Sequence, residues 1–165
     1  PLQGTDYVEL YVGNAKQAAH YYMSAFGFQA LAYAGPETGM KDKVSYVVRQ
    51  NKLTIMLTTS LKDNNPIADH VFMHGDGVKT LALMVDDATY SWQQTTGRGA
   101  ESTMEPTTLS DAEGSVVLSG IRTFGEVDHV FVERKNYAGV FMPGYRAWSN
   151  PHFAPPETGL LYVDH

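Results

Sequence analysis

The sequence predicts an α+β fold built from two tandem βαβββ modules. Three observations predict it. A strand and a capped helix stand together near the start, the same pattern begins again 73 residues later, and each copy is followed by paired β-rich runs around short turns. The chain of 165 residues is long enough to bury a real core.

Tyr7–Val12 alternates and is rich in Val and Tyr, as a half-buried strand requires. Gly13-Asn14 breaks it, and the Asn14 side chain is suited to accept an amide bond at a helix start. Ala15, Ala18, Ala19, Tyr22, Met23 and Phe26 form one apolar helical stripe, and Gly27 is placed to end it in the left-handed region. Gln29–Gly35 is a short apolar run, followed by a turn over Gly35–Gly39. Lys43–Gln50 and Leu53–Thr59 read as a hairpin around Asn51-Lys52. Residues 1–60 are therefore the first module. Residues 61–77 are polar and read as a connector containing one helical turn.

The second module, residues 78–135, restarts the pattern. Val78–Val85 is a strand, Asp87 a cap, and Ala88–Thr96 a short helix closed by Gly97 and Gly99. The 73-residue shift lays Val8 on Leu81, Val12 on Val85 and Asn14 on Asp87. Ser102–Pro106 reads as a short strand and Thr107–Gly114 as a polar loop. Ser115–Thr123 and Val127–Arg134 form a second hairpin. Residues 136–165 hold prolines and aromatic residues without periodicity, and read as an aromatic-anchored linker that turns strand-like again at Tyr162–His165.

A net charge of −6 gives no basic patch for nucleic acid or an anionic membrane. The chain has no cysteine, which excludes disulfides, thiolate metal sites and a cysteine nucleophile. No apolar run is long enough for a membrane span, so a cytoplasmic protein is expected. Six histidines are the obvious chemical candidates. None reads as an H-x-x-x-H pair on one helix face or as a compact zinc motif. His20 reads as a structural helix residue, His129 beside Asp128 as a surface pair, and His152 as a loop residue. His70 and His74 flank a polar loop four apart; they are a conceivable metal pair, but with no predicted helix to align them they read as loop residues. Glu133, near the end of the last strand, is a candidate metal ligand or base if it faces a concave sheet, and otherwise an exposed charge beside Arg134 and Lys135. Gly75-Asp76-Gly77 shapes a turn rather than a phosphate cradle.

DYVELYVGNAKQAAHYYMSAFGF, HGDGVKTLALMVDD and HVFVERKNYAGVFMPGY resemble the amino-terminal half of the 4-hydroxyphenylpyruvate dioxygenases, and LLYVDH resembles the entry to their carboxy-terminal half. The resemblance implies a vicinal-oxygen-chelate (glyoxalase-like) fold, in which the modules' sheets curl into an open barrel. It implies a parent enzyme that converts 4-hydroxyphenylpyruvate and O2 to homogentisate and CO2 in tyrosine breakdown, on Fe(II) held by two His and one Glu. His165 matches the first of those ligands, and the other two belong to a carboxy-terminal catalytic domain beyond this chain. Within residues 1–164 the matching positions are Tyr7, Thr80 and Glu133. Tyr7 and Thr80 are poor ligands for Fe(II), so a non-catalytic barrel plugged by side chains is expected, with no iron of its own. The implied partners are that second domain, further copies in a homo-oligomer, and a keto acid substrate. Three alternatives stand beside this: a hydroxymandelate synthase fragment, a free-standing metal-free ligand-binding module, and a metal-dependent glyoxalase-like enzyme within this chain.

Overall fold

The computed structural model describes residues 2–149, 153 and 155–164. Among these, nine strands form one mixed sheet in the order β6-β7-β8-β5-β1-β4-β3-β2-β9. The strands are β1 (Leu2–Tyr11), β2 (Gln29–Ala34), β3 (Lys43–Gln50), β4 (Leu53–Ser60), β5 (Gly77–Val85), β6 (Ser102–Asp111), β7 (Gly114–Arg122), β8 (Asp128–Tyr137) and β9 (Arg146–Ala147). The helices are α1 (Ala15–Phe26), α2 (Pro66–His74) and α3 (Ala88–Thr96). None is long and apolar enough to cross a membrane.

The two halves of the sheet meet at the antiparallel pair β1–β5, where Val8 lies opposite Leu81. Those are the residues that the 73-residue shift superposes, so a pseudo-twofold axis runs through the seam. On either side the connections repeat. β1 pairs in parallel with β4, and β5 with β8. The caps repeat as well: Asn14 accepts from the amide of Gln17, and Asp87 from that of Tyr90. Gly27 closes α1 at φ 71°, with Phe28 N–H reaching back to the Tyr22 carbonyl.

Both α1 and α3 pack on the same face of the sheet. α1 buries Ala15, Ala19 and Met23 against Val48, Ile55 and Leu57, and α3 buries Ala88 against Val85, Ile121 and Phe131. The alternate residues of those strands face the other way. There Tyr7, Val47, Met56, Ala82, Val116, Val130 and Val132 form a third core that spans both halves.

Two elements differ from expectation. β6 runs unbroken to Asp111, where a short strand and a loop were expected. It is the sheet's edge, and register shifts between Met104 and Thr107 absorb Pro106, which has no amide to donate. The connector holds a nine-residue helix, α2, instead of a single turn. Asn65 accepts from the amides of Ile67 and Ala68, and Pro66 occupies the first helical position. The segment after β8, expected as an aromatic-anchored linker, is held against the first half of the sheet. Trp148 meets Tyr46 edge-on, and the Gln50 side chain accepts from the amides of Thr158 and Leu160 while Lys52 N–H reaches the Leu161 carbonyl.

Candidate functional site

The helix-free face of the sheet is the natural place for a site, because it gathers side chains from both modules around the seam. Its centre carries one buried carboxylate, Glu9. Alternation along β1 puts Glu9 in phase with Tyr7, and the seam sets it beside Thr80. Thr58 Oγ1 donates to Glu9 Oε1 at 2.8 Å and Thr80 Oγ1 to Oε2 at 3.3 Å, with Ser45 2.9 Å from Thr58. Burial pushes the Glu9 carboxyl up from its ordinary value, opposed by Lys43 and by the two threonine hydroxyls. Sequence reasoning passed over Glu9, although its phase with Tyr7 was visible.

Below this polar row the face is filled. Phe141 and Met142, 3% and 5% exposed, fold back from the segment after β8 onto Tyr7 and the aliphatic core. The Phe141 ring meets Tyr7 edge-on at 5.5 Å and Tyr145 at 5.0 Å. Tyr145 in turn donates to Met56 Sδ at 3.1 Å. Burial raises the Tyr7 hydroxyl well above its ordinary range, and the nearby Glu9 charge raises it further.

At one end of the filled core, Asp6 accepts from Arg134 Nε and Nη2 at 2.7 and 2.6 Å. Arg134 also donates from Nη1 to the Phe141 carbonyl and lies over its ring, 5.6 Å from the centroid. A cleft of about 720 Å³ opens beside this pair, lined by Arg49, Lys52, Tyr137 and Tyr162 among others.

The expected positions do not converge. Tyr7 and Thr80 stand on the helix-free face, but Glu133 does not. Its strand neighbours Phe131 and Val132 point to opposite cores, which puts Glu133 on the helix side with Phe131. There it accepts from the Ala88 amide at 3.1 Å, at the start of α3, and pairs with Lys135 at 2.9 Å. Glu133 is thus a helix-anchoring carboxylate and not a ligand on a concave sheet. The filled core offers iron Glu9, already engaged by two hydroxyls, and Asp6, paired with Arg134, with no histidine beside either among the described residues. That set does not fit the two-His-one-carboxylate centre. His165 and His152 lie outside the described residues. His20 is exposed on α1, contacting Ser24 and the ring of Phe153. His129 is half-buried on β8, where burial lowers its pKa. Its neighbour Asp128 pairs with Lys79 at 3.0 Å instead. His70 and His74, expected in a loop, lie one turn apart on α2 beside Glu126.

Residues 4–130 match the family model described as the glyoxalase/bleomycin resistance protein/dioxygenase superfamily. The chain belongs to that superfamily. Two members named 4-hydroxyphenylpyruvate dioxygenase resemble nearly all of it. The protein from Dictyostelium discoideum is 42% identical over 99% of this chain, and that from Caenorhabditis elegans is 40% identical over 97%. The chain spans 46% and 42% of those proteins, under half of each. Among solved structures, a mutant 4-hydroxymandelate synthase from Streptomyces coelicolor superposes with a TM-score of 0.80 at 28% identity, covering 98% of this chain and 45% of its own. Methylmalonyl-CoA epimerase from Mycobacterium tuberculosis shares the superfamily fold at a TM-score of 0.65 and 20% identity, covering 80% of this chain and 88% of its own.

Proposed function

We propose that the chain is the amino-terminal, non-catalytic domain of an Fe(II)-dependent dioxygenase that converts 4-hydroxyphenylpyruvate and O2 to homogentisate and CO2 in tyrosine catabolism. The observation that carries this reading is the likeness of nearly the whole chain to under half of each dioxygenase relative. The filled helix-free face supports assigning the chemistry to the other half, since Phe141, Met142 and Tyr145 occupy the space a substrate would need. In this reading residues 1–60 and 78–135 are the paired modules, 61–77 join them, and 136–165 lead into the catalytic domain. His165 supplies the first iron ligand there. The parent enzyme is a cytoplasmic homo-oligomer, and this domain braces the catalytic half.

The likeness to 4-hydroxymandelate synthase supports a second reading, in which the same parent architecture releases hydroxymandelate. One experiment separates them: the full-length parent is loaded with Fe(II), given 4-hydroxyphenylpyruvate and O2, and its products are resolved by chromatography. Homogentisate supports the first reading and hydroxymandelate the second. Turnover to neither, or turnover by residues 1–165 alone, overturns the assignment.

A further inference from the structure

Helix α2 brings His70 and His74 onto one face, since residues four apart in a helix lie one above the other. Their rings are 4.8 Å apart, centre to centre. Glu126, in the turn between β7 and β8, reaches the same spot. Its Oε2 is 3.0 Å from His74 Nε2 and 3.7 Å from His70 Nδ1, and one donor atom from each of the three residues lies within 4.8 Å of the others. Two imidazoles and a carboxylate around a tetrahedral zinc, with bonds of about 2.0–2.2 Å, stand about 3.3 Å apart. The two distances to Glu126 bracket that spacing, and rotation of the exposed Glu126 and His74 side chains around the buried His70 would close the remaining separation.

We propose that His70, His74 and Glu126 form a binding site for a divalent transition-metal ion of the Zn2+, Co2+ or Ni2+ class, joining α2 to the β7–β8 turn. A simple ion pair would need one histidine against Glu126. The second imidazole, one turn away and aimed at the same oxygen, is what a metal requires and an ion pair does not. Two nitrogen donors select borderline ions over Ca2+ or Mg2+. The supports are already in place. Lys79 donates to the Glu126 carbonyl at 2.5 Å and fixes the turn, and Tyr11 meets the His70 ring edge-on at 5.4 Å. Burial, with His74 and Lys79 nearby, lowers the His70 pKa, and the His74 contact holds the Glu126 carboxyl low. Neutral imidazole and ionised carboxylate are the forms that ligate. The site lies beside α2 at the Tyr11 end of that face, and it does not depend on the face being filled.

The test uses the untagged 165-residue chain, stripped with EDTA and titrated with Zn2+ by calorimetry and with Co2+ by visible absorption. One equivalent should bind, with the ring NMR signals of His70 and His74 shifting on Zn2+ addition and those of His20 and His129 unmoved. His74→Ala and Glu126→Gln alter exposed residues, so both should keep the parent's circular dichroism. Each should weaken binding by more than about tenfold, because even outer-shell changes cost 10–100-fold. Absence of saturable binding overturns the proposal. So does unchanged affinity in both variants, which would assign the metal to other histidines.

Discussion

Replacing Phe141 with alanine tests whether the segment after β8 is core or covering. The ring is 3% exposed and touches Tyr7, Tyr145 and the Arg134 guanidinium. Burial of a phenylalanine and the cavity left by its loss together amount to about 3–5 kcal/mol. Two edge-on aromatic contacts add about 0.5–1.5 kcal/mol each to such a site. Collapse would recover part of this, but the backbone is held in place. Arg134 donates to the Phe141 carbonyl, which alanine keeps, and Met142 and Tyr145 anchor the following turn. The cavity therefore persists, and the expected loss is about 4 kcal/mol, the middle of that range. In a domain of this size that lowers Tm by roughly 8–16 °C. Urea unfolding followed by circular dichroism should show the midpoint fall with the slope unchanged. Phe141→Leu, which keeps most of the volume, should lose less than about 1.5 kcal/mol. A loss below about 1.5 kcal/mol for alanine would refute the description of residues 138–145 as a plug, and would mean that the face beneath is open to ligands.

Other perturbations have equally defined outcomes. Glu9→Gln keeps an acceptor for Thr58 and gives Thr80 a donor, while removing a buried charge. Because folding raises the Glu9 pKa above 4.5, its contribution is favourable at low pH and is lost as pH climbs through the folded value. The glutamine variant should match the parent near pH 4 and exceed it increasingly above that, and a lower urea midpoint at neutral pH would contradict this. Asp6→Asn should cost about 3 kcal/mol by stranding a largely buried Arg134, whereas Asp6→Leu combined with Arg134→Met should recover most of it in thermal melts. Asn14→Ala and Asp87→Ala should each cost about 1 kcal/mol by chemical denaturation, since both caps hold the same kind of amide.

Much of the fold was legible because its signals are local. The cap of α1, the glycine that ends it and the two hairpins each rest on a few adjacent residues, and the structure contains them all. The 73-residue shift was legible too, but that the superposed Val8 and Leu81 also face each other across a seam came only with the structure. Two elements were hidden by weak periodicity. β6 is an edge strand whose residues are mostly exposed and include Pro106, so neither face is marked by hydrophobicity. α2 is brief and follows a polar run, although Asn65-Pro66 and Gly75 mark its two ends. The histidines on it were misread for the same reason. The orientation of Glu133 needed a decision between two strand faces one residue apart, which Phe131 and Val132 cannot settle from sequence because both are apolar. The docking of residues 155–161 rests in part on Gln50, a buried amide whose partners in that segment lie more than a hundred residues away.

The place of β1 at the middle of the sheet has a consequence for how the chain is made. Both of its neighbours are later in the sequence, β4 through Val8 and Ile55, and β5 through Val8 and Leu81. At elongation rates of about 5–20 residues per second, Ile55 follows Val8 by roughly 2–10 seconds. Throughout that interval α1 can wind, since its contacts are local, but the Tyr7–Tyr11 strand has both edges unsatisfied. The strand that ends as the most protected in the sheet is thus the most exposed during synthesis. Chaperone capture, misregistered pairing and aggregation of nascent chains should all concentrate on those five residues.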